Sequence, residues 1–218
     1  MTNLVLFGAG GLGREVLLLL EAMSSVKTPP RSYKLLGFVV NEKYYRKNAL
    51  VNGYPVLGTE EWLLKNKNDV VCCCSIGTPE ARAKIQKELS EQGVNFVSLI
   101  HPTVRIPETT KIGKGCLIQA HTTVSADCVF GDGVFLNTYC TVGHDTHIGD
   151  YTCIMTATSI SGNVKIGEEV RIGGHAYVIP GRKIGSYSTV AAGAVVFTNV
   201  KEKTTVIGNP AKRMSCLE

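Results

Sequence analysis

The sequence predicts a two-part α/β fold: an N-terminal Rossmann-like domain over residues 1–98, followed by a parallel β-helix over residues 99–218. Two observations carry this prediction. A glycine-rich turn follows the first apolar run, and a six-residue repeat of large apolar side chains fills the second half of the chain. The chain has 218 residues, which is enough to bury the core of one large domain or two small ones.

The chain opens with a strand, a turn and a helix. Residues 3–7 are apolar, Gly8–Gly13 has the form G-x-G-x-x-G, and residues 14–20 have a helical pattern. In this context the glycines and the helix N-terminus let backbone N–H groups approach a phosphate. We therefore expect Gly10, Gly11 and Leu12 to bind the substrate, although such a turn can also serve packing alone.

The remaining elements of the first domain alternate between strands and helices, which predicts a parallel sheet. They are a strand at 35–40, a turn at 53–58 leading into a short helix from Thr59, a strand at 70–75, a helix from Pro79 to about Gln92, and a last strand at 96–100. A dinucleotide enzyme places an acid after its second strand, whereas this chain has Val40 and Asn41, so NAD is disfavoured. Because parallel strands end at one edge, Val40, Asn41 and Gly77 are expected to line the substrate crevice with the glycine turn.

The second half of the chain repeats with a period of six, which predicts a hexapeptide β-helix with 18 residues in each triangular coil. Every sixth residue from Ile100 to Val196 is large and apolar: Ile100, Ile106, Ile112, Ile118, Val124, Phe130, Leu136, Val142, Ile148, Ile154, Ile160, Ile166, Ile172, Val178, Ile184, Val190 and Val196. The residue four positions after each is small or β-branched, with Arg182 as the exception. Both columns are expected to point inward because side chains alternate along a strand.

Two groups of small residues in the repeat have structural interpretations. Cys116, Cys128 and Cys140 fall in the inner column and are expected to be small interior residues. Glycines that follow the large apolar position are expected to form tight corners with positive φ: Gly113, Gly131, Gly143, Gly149, Gly167, Gly173 and Gly185.

The composition excludes several classes of protein. The net charge of +5 has no basic block, which argues against nucleic-acid binding. The sequence has no apolar run long enough to span a membrane and no secretion signal at its start, so we expect a cytoplasmic protein whose eight cysteines are free thiols. Without a Cys-x-x-Cys pair, no structural metal is expected.

The whole chain resembles the bacterial sugar acyltransferases of the PglD/NeuD type. The resemblance is carried by Gly8–Gly13, by residues 99–102 (Leu-Ile-His-Pro), by the stretch from Leu136 to Asp145, by the Ser-Gly-Asn run at 161–163 with the residues up to Gly167, and by the tail at 208–212. This resemblance implies a left-handed β-helix, a homotrimer, and acetyl-CoA bound between neighbouring β-helices. It also implies acetyl transfer to an amine or hydroxyl of a sugar, as in polysaccharide biosynthesis.

His144 is the predicted general base, because it lies outside both inward columns and Asp145 follows it directly. A carboxylate beside an imidazole can orient the ring and raise its basicity. Gly162 lies one coil after His144, and its N–H is expected to donate to the thioester carbonyl. The resemblance further implies that Asn137 lies near the acceptor, and that positions 153 (here Cys153), 174 (Gly174) and 192 (Ala192) contact CoA.

Several alternatives remain open. Lys212 and Arg213 are expected either to meet the CoA phosphates or to be a solvated end of the chain. The acceptor is expected to be a nucleotide-linked sugar, with O-acetylation of sialic acid or of a polysaccharide precursor as the alternative. A γ-type carbonic anhydrase would need zinc histidines five residues apart, whereas His144 and His147 are three apart. A trimeric, non-catalytic sugar-binding scaffold is the third class, and the His144–Asp145 pair argues against it.

Overall fold

The computed structural model describes residues 1–26 and 32–214. An α/β unit precedes Leu99, and three sheets that form a triangular prism follow it. Their strands are parallel apart from the final pair, Thr205–Ile207 with Lys212–Arg213, which is antiparallel. The predicted fold class is therefore confirmed. The last four residues of the predicted second domain, which include Cys216, lie outside the described residues.

The N-terminal unit has a sheet in the order β3-β4-β2-β1-β5, in which only the β3–β4 pair is antiparallel. The strands are β1 (Thr2–Phe7), β2 (Tyr33–Val39), β3 (Leu50–Val51), β4 (Tyr54–Gly58) and β5 (Val71–Cys74). The helices are α1 (Gly11–Ser24), α2 (Glu60–Asn66) and α3 (Pro79–Glu91), and a single 3-10 turn covers Glu42–Tyr44.

Two sequence predictions in this unit were wrong. Residues 54–58 form strand β4 and not a turn, because the reversal of the chain is confined to Asn52 and Gly53, which both have positive φ. The predicted last strand at 96–100 is divided. Phe96 makes an isolated bridge to Cys72, while Leu99 and Ile100 pair with the prism.

The prism has three faces, which we name by what they present outward. The docking face packs on the N-terminal unit and consists of β6 (Leu99–Ile100), β8 (Leu117–Ile118), β11 (Phe135–Leu136), β14 (Cys153–Ile154), β17 (Arg171–Ile172), β20 (Thr189–Val190), β22 (Thr205–Ile207) and β23 (Lys212–Arg213). The hydroxyl face consists of β9 (Thr123–Val124), β12 (Thr141–Val142), β15 (Ser159–Ile160), β18 (Tyr177–Val178) and β21 (Val195–Val196). The lysine face consists of β7 (Lys111–Ile112), β10 (Val129–Phe130), β13 (His147–Ile148), β16 (Lys165–Ile166) and β19 (Lys183–Ile184).

Both predicted inward columns line the prism core, and Arg182 is again the exception, being half-buried. The inner threonines and cysteines also bond to the backbone. Thr146 Oγ1 donates to the carbonyl of Ser161, and Cys128 Sγ contacts the carbonyl of Gly143, each 15 residues ahead. These side chains therefore fill the core and satisfy a corner carbonyl of the next coil.

The expected positive φ at the corner glycines was wrong. The left-handed residue of each hexad lies two positions later, at residues such as His121, Asp145 and Asn163. These corner positions are glycine for a different reason, the close approach of neighbouring coils. A Cβ on Gly143 would stand 2.4 Å from the backbone nitrogen of Gly162 in the next coil, so no side chain fits there.

The N-terminal unit and the prism share an apolar core. Leu99, Leu117, Phe135 and Cys153 on the docking face belong to the same buried cluster as residues of β1, α1 and β2. Arg82 of α3 is also fully buried here, with its guanidinium carbon 5.3 Å from the Phe135 ring centroid. No hydrogen-bond partner for its guanidinium nitrogens is found within residues 1–26 and 32–214.

All seven described cysteines are unpaired and buried. Across the described part of the chain, no three His, Cys, Asp or Glu side chains converge to hold a metal ion. None of its helices is both long enough and apolar enough for a membrane crossing.

Candidate active site

The predicted base lies at the corner between the hydroxyl and lysine faces, which we call the histidine corner. Here the chain turns from β12 to β13, and Asp145 adopts the left-handed conformation with φ 58°. Asp145 N–H donates to the carbonyl of Ala126, and the carbonyl of His144 accepts from Asn163 N–H at 2.7 Å. The coils on both sides therefore fix this backbone.

His144 and Asp145 form a hydrogen-bonded pair. The distance from His144 Nδ1 to Asp145 Oδ2 is 2.7 Å, and the two side chains are 66% and 59% exposed. With Nδ1–H directed to the carboxylate, the lone pair of the neutral imidazole is on Nε2. Nε2 is thus available to take a proton from a substrate.

Gly162 lies directly beside His144 on the next coil. A Cβ at position 162 would stand 2.6 Å from His144 Nε2, so glycine leaves room for the ring. The N–H of Gly162 meets no protein acceptor among residues 1–26 and 32–214. A backbone N–H without a protein acceptor, in a residue that lies against the base, is suited to stabilise a developing oxyanion.

Asn137, Gly174 and Ala192 lie at another corner, between the docking and hydroxyl faces, which we call the asparagine corner. One hexad of the hydroxyl face, up to about 20 Å for six extended residues, separates this corner from the histidine corner. Gly174 and Ala192 also lie two and three coils further along the prism than Asn137. Asn137 Oδ1 accepts from Thr138 N–H at 2.8 Å. Within one chain, these three residues are therefore not brought together with His144.

Cys153 is fully buried under the N-terminal unit and exposes no surface to a cofactor. Its strand, β14, lies on the docking face, away from the histidine corner. Burial raises the pKa of this thiol to about 11, with nearby Arg82 opposing the shift, so it is protonated at neutral pH. This position does not fit the predicted side-chain contact with CoA, because the first domain packs against it.

A cavity of about 400 Å³ lies at the C-terminal end of the prism. Its lining includes Thr198 of the histidine corner and three basic side chains, those of Lys201, Lys212 and Arg213. Thr198 follows His144 by 54 residues, or three coils, which is about 14 Å along the prism axis at the strand spacing of a sheet. The cavity therefore lies at the end of the prism, and Thr198 in its lining lies on the same edge as the base.

The carboxyl ends of β1, β2 and β5, the predicted place of the substrate crevice, lie side by side in the N-terminal unit. Gly8 N–H donates to the carbonyl of Val39 at 2.8 Å, and the hydroxyl of Ser75 donates to the carbonyl of Gly8 at 2.7 Å. Ser75 is a contact that sequence reasoning missed, although a hydroxyl at a strand end is a recognisable signal. These bonds bring the three strand ends to one edge.

The glycine turn has open space at Gly10 and Gly11 and is tightly packed at Gly13. A Cβ on Gly10 or Gly11 would meet nothing within 4 Å, whereas one on Gly13 would stand 2.3 Å from the Gly8 carbonyl oxygen. Gly77 lies across from Leu12, with 3.8 Å between its would-be Cβ and Leu12 Cδ2. Gly10 and Gly11 thus leave space for a ligand, and Gly13 allows α1 to pack against β1.

Beside this turn, Val40 is buried and its N–H donates to the carbonyl of Gly58 at 3.1 Å. Asn41 is half-buried, and its Nδ2 donates to Glu60 Oε1 at 3.1 Å. Sequence reasoning missed Glu60. The signal was an acidic residue two positions after the end of β4, the strand beside β2.

Three further histidines, His101, His121 and His147, make no bond to the side chains of the His144–Asp145 pair. His121 stacks on Tyr139 with ring centroids 4.9 Å apart, on the asparagine corner. His101 Nδ1 lies 2.9 Å from Thr103 Oγ1, and burial together with neighbouring His121 lowers the pKa of His101. His147 is exposed on the lysine face, and its Nδ1 lies 3.3 Å from the backbone carbonyl oxygen of Asp145.

Two different family models match the two units of this chain. Residues 3–89 match the family model of the PglD N-terminal domain, and residues 100–212 match that of the GMPPB C-terminal domain. A GDP-perosamine N-acetyltransferase of Escherichia coli O157:H7 is 31% identical over 209 residues, which are 93% of this chain and 81% of that protein.

Solved structures agree over the full length. PerB from Caulobacter crescentus, in complex with CoA and GDP-perosamine, has a TM-score of 0.87 and 27% identity, covering 99% of this chain and 98% of that one. The acetyltransferase domain of PglB from Neisseria gonorrhoeae has a TM-score of 0.85 and 33% identity, covering 98% and 100%. This chain is thus an acyltransferase, and it belongs to the PglD-type sugar acetyltransferases.

Proposed function

We propose that this protein transfers the acetyl group of acetyl-CoA directly to the amine of a nucleotide-linked amino sugar, with His144 as the general base. The observation that carries the proposal is the hydrogen-bonded His144–Asp145 pair, with Nε2 beside Gly162, whose N–H has no acceptor in the described part of the chain. Relatives support the substrates, since PerB was solved with CoA and GDP-perosamine and the PglB domain with acetyl-CoA.

The reaction follows from this arrangement. The amine attacks the thioester carbonyl, a C–N bond forms, and Nε2 of His144 accepts the amine proton. Asp145 holds Nδ1–H and stabilises the imidazolium that results. Gly162 N–H donates to the oxyanion. When the C–S bond breaks, the proton on Nε2 passes to the sulfur of CoA, and the neutral imidazole is restored.

The basic cavity supports a proposed path for CoA along the protein. Its thioester at His144 and its phosphates near Lys201, Lys212 and Arg213 would be separated by about three coils, or 14 Å. Lysine and arginine side chains are suited to bind phosphates. CoA would therefore run along the histidine corner toward the C-terminal end of the prism.

The proposed enzyme is a homotrimer with a site shared between chains. Asn137, Gly174 and Ala192 lie at a different corner of the prism from His144 in a single chain, so a neighbouring prism is the simplest way to bring the two corners together. A mixture of inactive His144→Ala and inactive Asn137→Ala chains would then regain part of the activity, because some sites would combine intact residues from two chains. Mixtures that remain inactive, or a monomer in solution, would reject this arrangement.

The acceptor in the N-terminal unit would be held by Gly10, Gly11, Leu12 and Gly77, with Val40 and Asn41 at its nucleoside end. The reaction would take place in the cytoplasm, where acetyl-CoA and nucleotide sugars are made, and it would modify a precursor for polysaccharide biosynthesis.

The test is a panel of UDP-, GDP-, dTDP- and CMP-linked sugars with acetyl-CoA, with the release of free thiol as the readout. Each nucleotide is offered with an amino sugar and with the matching hydroxyl sugar. The proposal expects turnover with one or more amino sugars and none with the hydroxyl partners. Turnover only with hydroxyl sugars or with free sialic acid would show that the enzyme is an O-acetyltransferase and not an N-acetyltransferase.

A further inference from the structure

A carboxylate lies at the nucleoside end of the crevice, although the sequence places none at the end of β2. Asn41 follows β2, and Glu60 follows β4, the next strand in the sheet. Because both strands are parallel to β1, their carboxyl ends meet at the edge that carries the glycine turn. Glu60 Oε1 accepts from Asn41 Nδ2 at 3.1 Å, and both residues are half-buried.

The order of the strand ends gives the order of the substrate groups. Gly8 bonds to Val39, and Val40 bonds to Gly58, so the ends of β1, β2 and β4 lie side by side. At about 4.8 Å per strand, β4 ends roughly 10 Å from β1. With phosphates at the glycine turn, the ribose would lie toward β2, and the base would lie farther along, at Glu60.

The pair presents a definite hydrogen-bonding edge. An ionised carboxylate only accepts, and it has capacity for several bonds on its two oxygens. Asn41 Nδ2 has a second hydrogen beyond the one directed to Glu60. From Asn41 to Glu60, the protein therefore offers a donor followed by acceptors.

We propose that Asn41 and Glu60 bind the base of the sugar nucleotide and select guanine. The O6, N1–H and N2–H groups of guanine form an edge of one acceptor followed by two donors, which complements the edge of this pair. Uracil and thymine present O4, N3–H and O2, so their O2 would face a carboxylate oxygen without a proton between them. This inference rests on the proposed function, since it assigns the nucleotide of the same acceptor.

Glu60 also has a plain structural interpretation. It is the first residue of α2, where a negative charge interacts favourably with the helix dipole. That role would influence stability and would treat all nucleotides alike. A contact with the ribose hydroxyls would likewise affect GDP and UDP equally. A difference in affinity between bases therefore distinguishes base recognition from a helix-dipole role and from a ribose contact.

The experiment measures the affinities of GDP, IDP and UDP for the full-length wild type, Glu60→Gln and Glu61→Gln by calorimetry. Glu61 is the matched control, because it lies next in the same helix but pairs with Lys65 in solvent. In the wild type we expect GDP to bind about tenfold or more tightly than UDP, the discrimination of a good bidentate contact. IDP, which lacks the 2-amino group, should fall between them.

Glu60→Gln should weaken GDP about tenfold and leave UDP within about twofold, while Glu61→Gln should match the wild type. Equal affinities of GDP and UDP for the wild type, equal losses in Glu60→Gln, or no binding of GDP would each overturn the inference. The wild-type comparison needs no variant to fold. A preference for UDP would reject guanine selection but leave acetyl transfer to a nucleotide sugar intact, and the thiol-release panel tests that separately.

Discussion

The imidazole of His144 lies against Gly162, so that a Cβ at position 162 would stand 2.6 Å from Nε2. This contact joins the proposed base and the proposed oxyanion donor across two coils that are held together by the bond from Asn163 N–H to the His144 carbonyl. The two groups are therefore positioned by the prism itself and not by a flexible loop.

Gly162→Ala is expected to lower kcat by about tenfold to a hundredfold, because the new methyl group displaces the imidazole from its place. The KM for acetyl-CoA should change less. Steady-state kinetics and thermal melting measure the two effects. Unchanged kcat in a folded variant would show that the position of the ring over Gly162 has no role.

Asp145→Asn is expected to lower kcat by about tenfold to a hundredfold, because the amide keeps a similar shape but loses the charge that stabilises the imidazolium. Asp127→Asn is the matched control. Asp127 lies one coil earlier with the same left-handed backbone, but its preceding residue is Ala126. Equal losses in both variants would indicate a structural role for Asp145.

Cys153→Ala is expected to leave the KM for acetyl-CoA within about twofold, because this thiol is buried under the N-terminal unit. The removal of a buried group should instead lower the free energy of unfolding by about 1 kcal/mol. Cys140→Ala, inside the prism, provides a comparison for that loss. A tenfold rise in the KM for acetyl-CoA would contradict this expectation and would support the contact between position 153 and CoA that the family resemblance implies.

Arg82→Met is expected to leave the free energy of unfolding unchanged or to raise it by roughly 1–4 kcal/mol. The methionine keeps the apolar packing against Phe135 and removes a buried charge that has no hydrogen-bond partner in the described residues. Chemical denaturation followed by circular dichroism measures this. A loss of more than about 2 kcal/mol would mean that the guanidinium has a bound partner in solution.

The period of six was enough to predict the prism, because an unbroken column from Ile100 to Val196 fits only one kind of coil. It also gave the inner role of Cys116. The position of the left-handed residue was not predictable from glycine alone, since Asp145 and His121 adopt this conformation where a coil needs it. Close approach between coils, which no local pattern shows, explains Gly143 instead.

Long-range contacts limited the prediction of the site. The period itself places Gly162 one coil after His144, and it places Gly174 at another corner, 12 residues beyond Gly162. The burial of Cys153 depends on how the two units pack, and Glu60 reaches Asn41 only because β2 and β4 are neighbours in the sheet. Neither contact is encoded in a short motif.

The role of His144 as general base is tested most directly by the rate of acetyl transfer in His144→Ala, measured with saturating acetyl-CoA and the best acceptor of the panel. We expect kcat to fall by about a hundredfold or more, with the affinity for acetyl-CoA within about twofold of the wild type. His147→Ala, three residues away on the lysine face, should keep nearly full activity. Turnover of His144→Ala within about twofold of the wild type would contradict the assignment of the base.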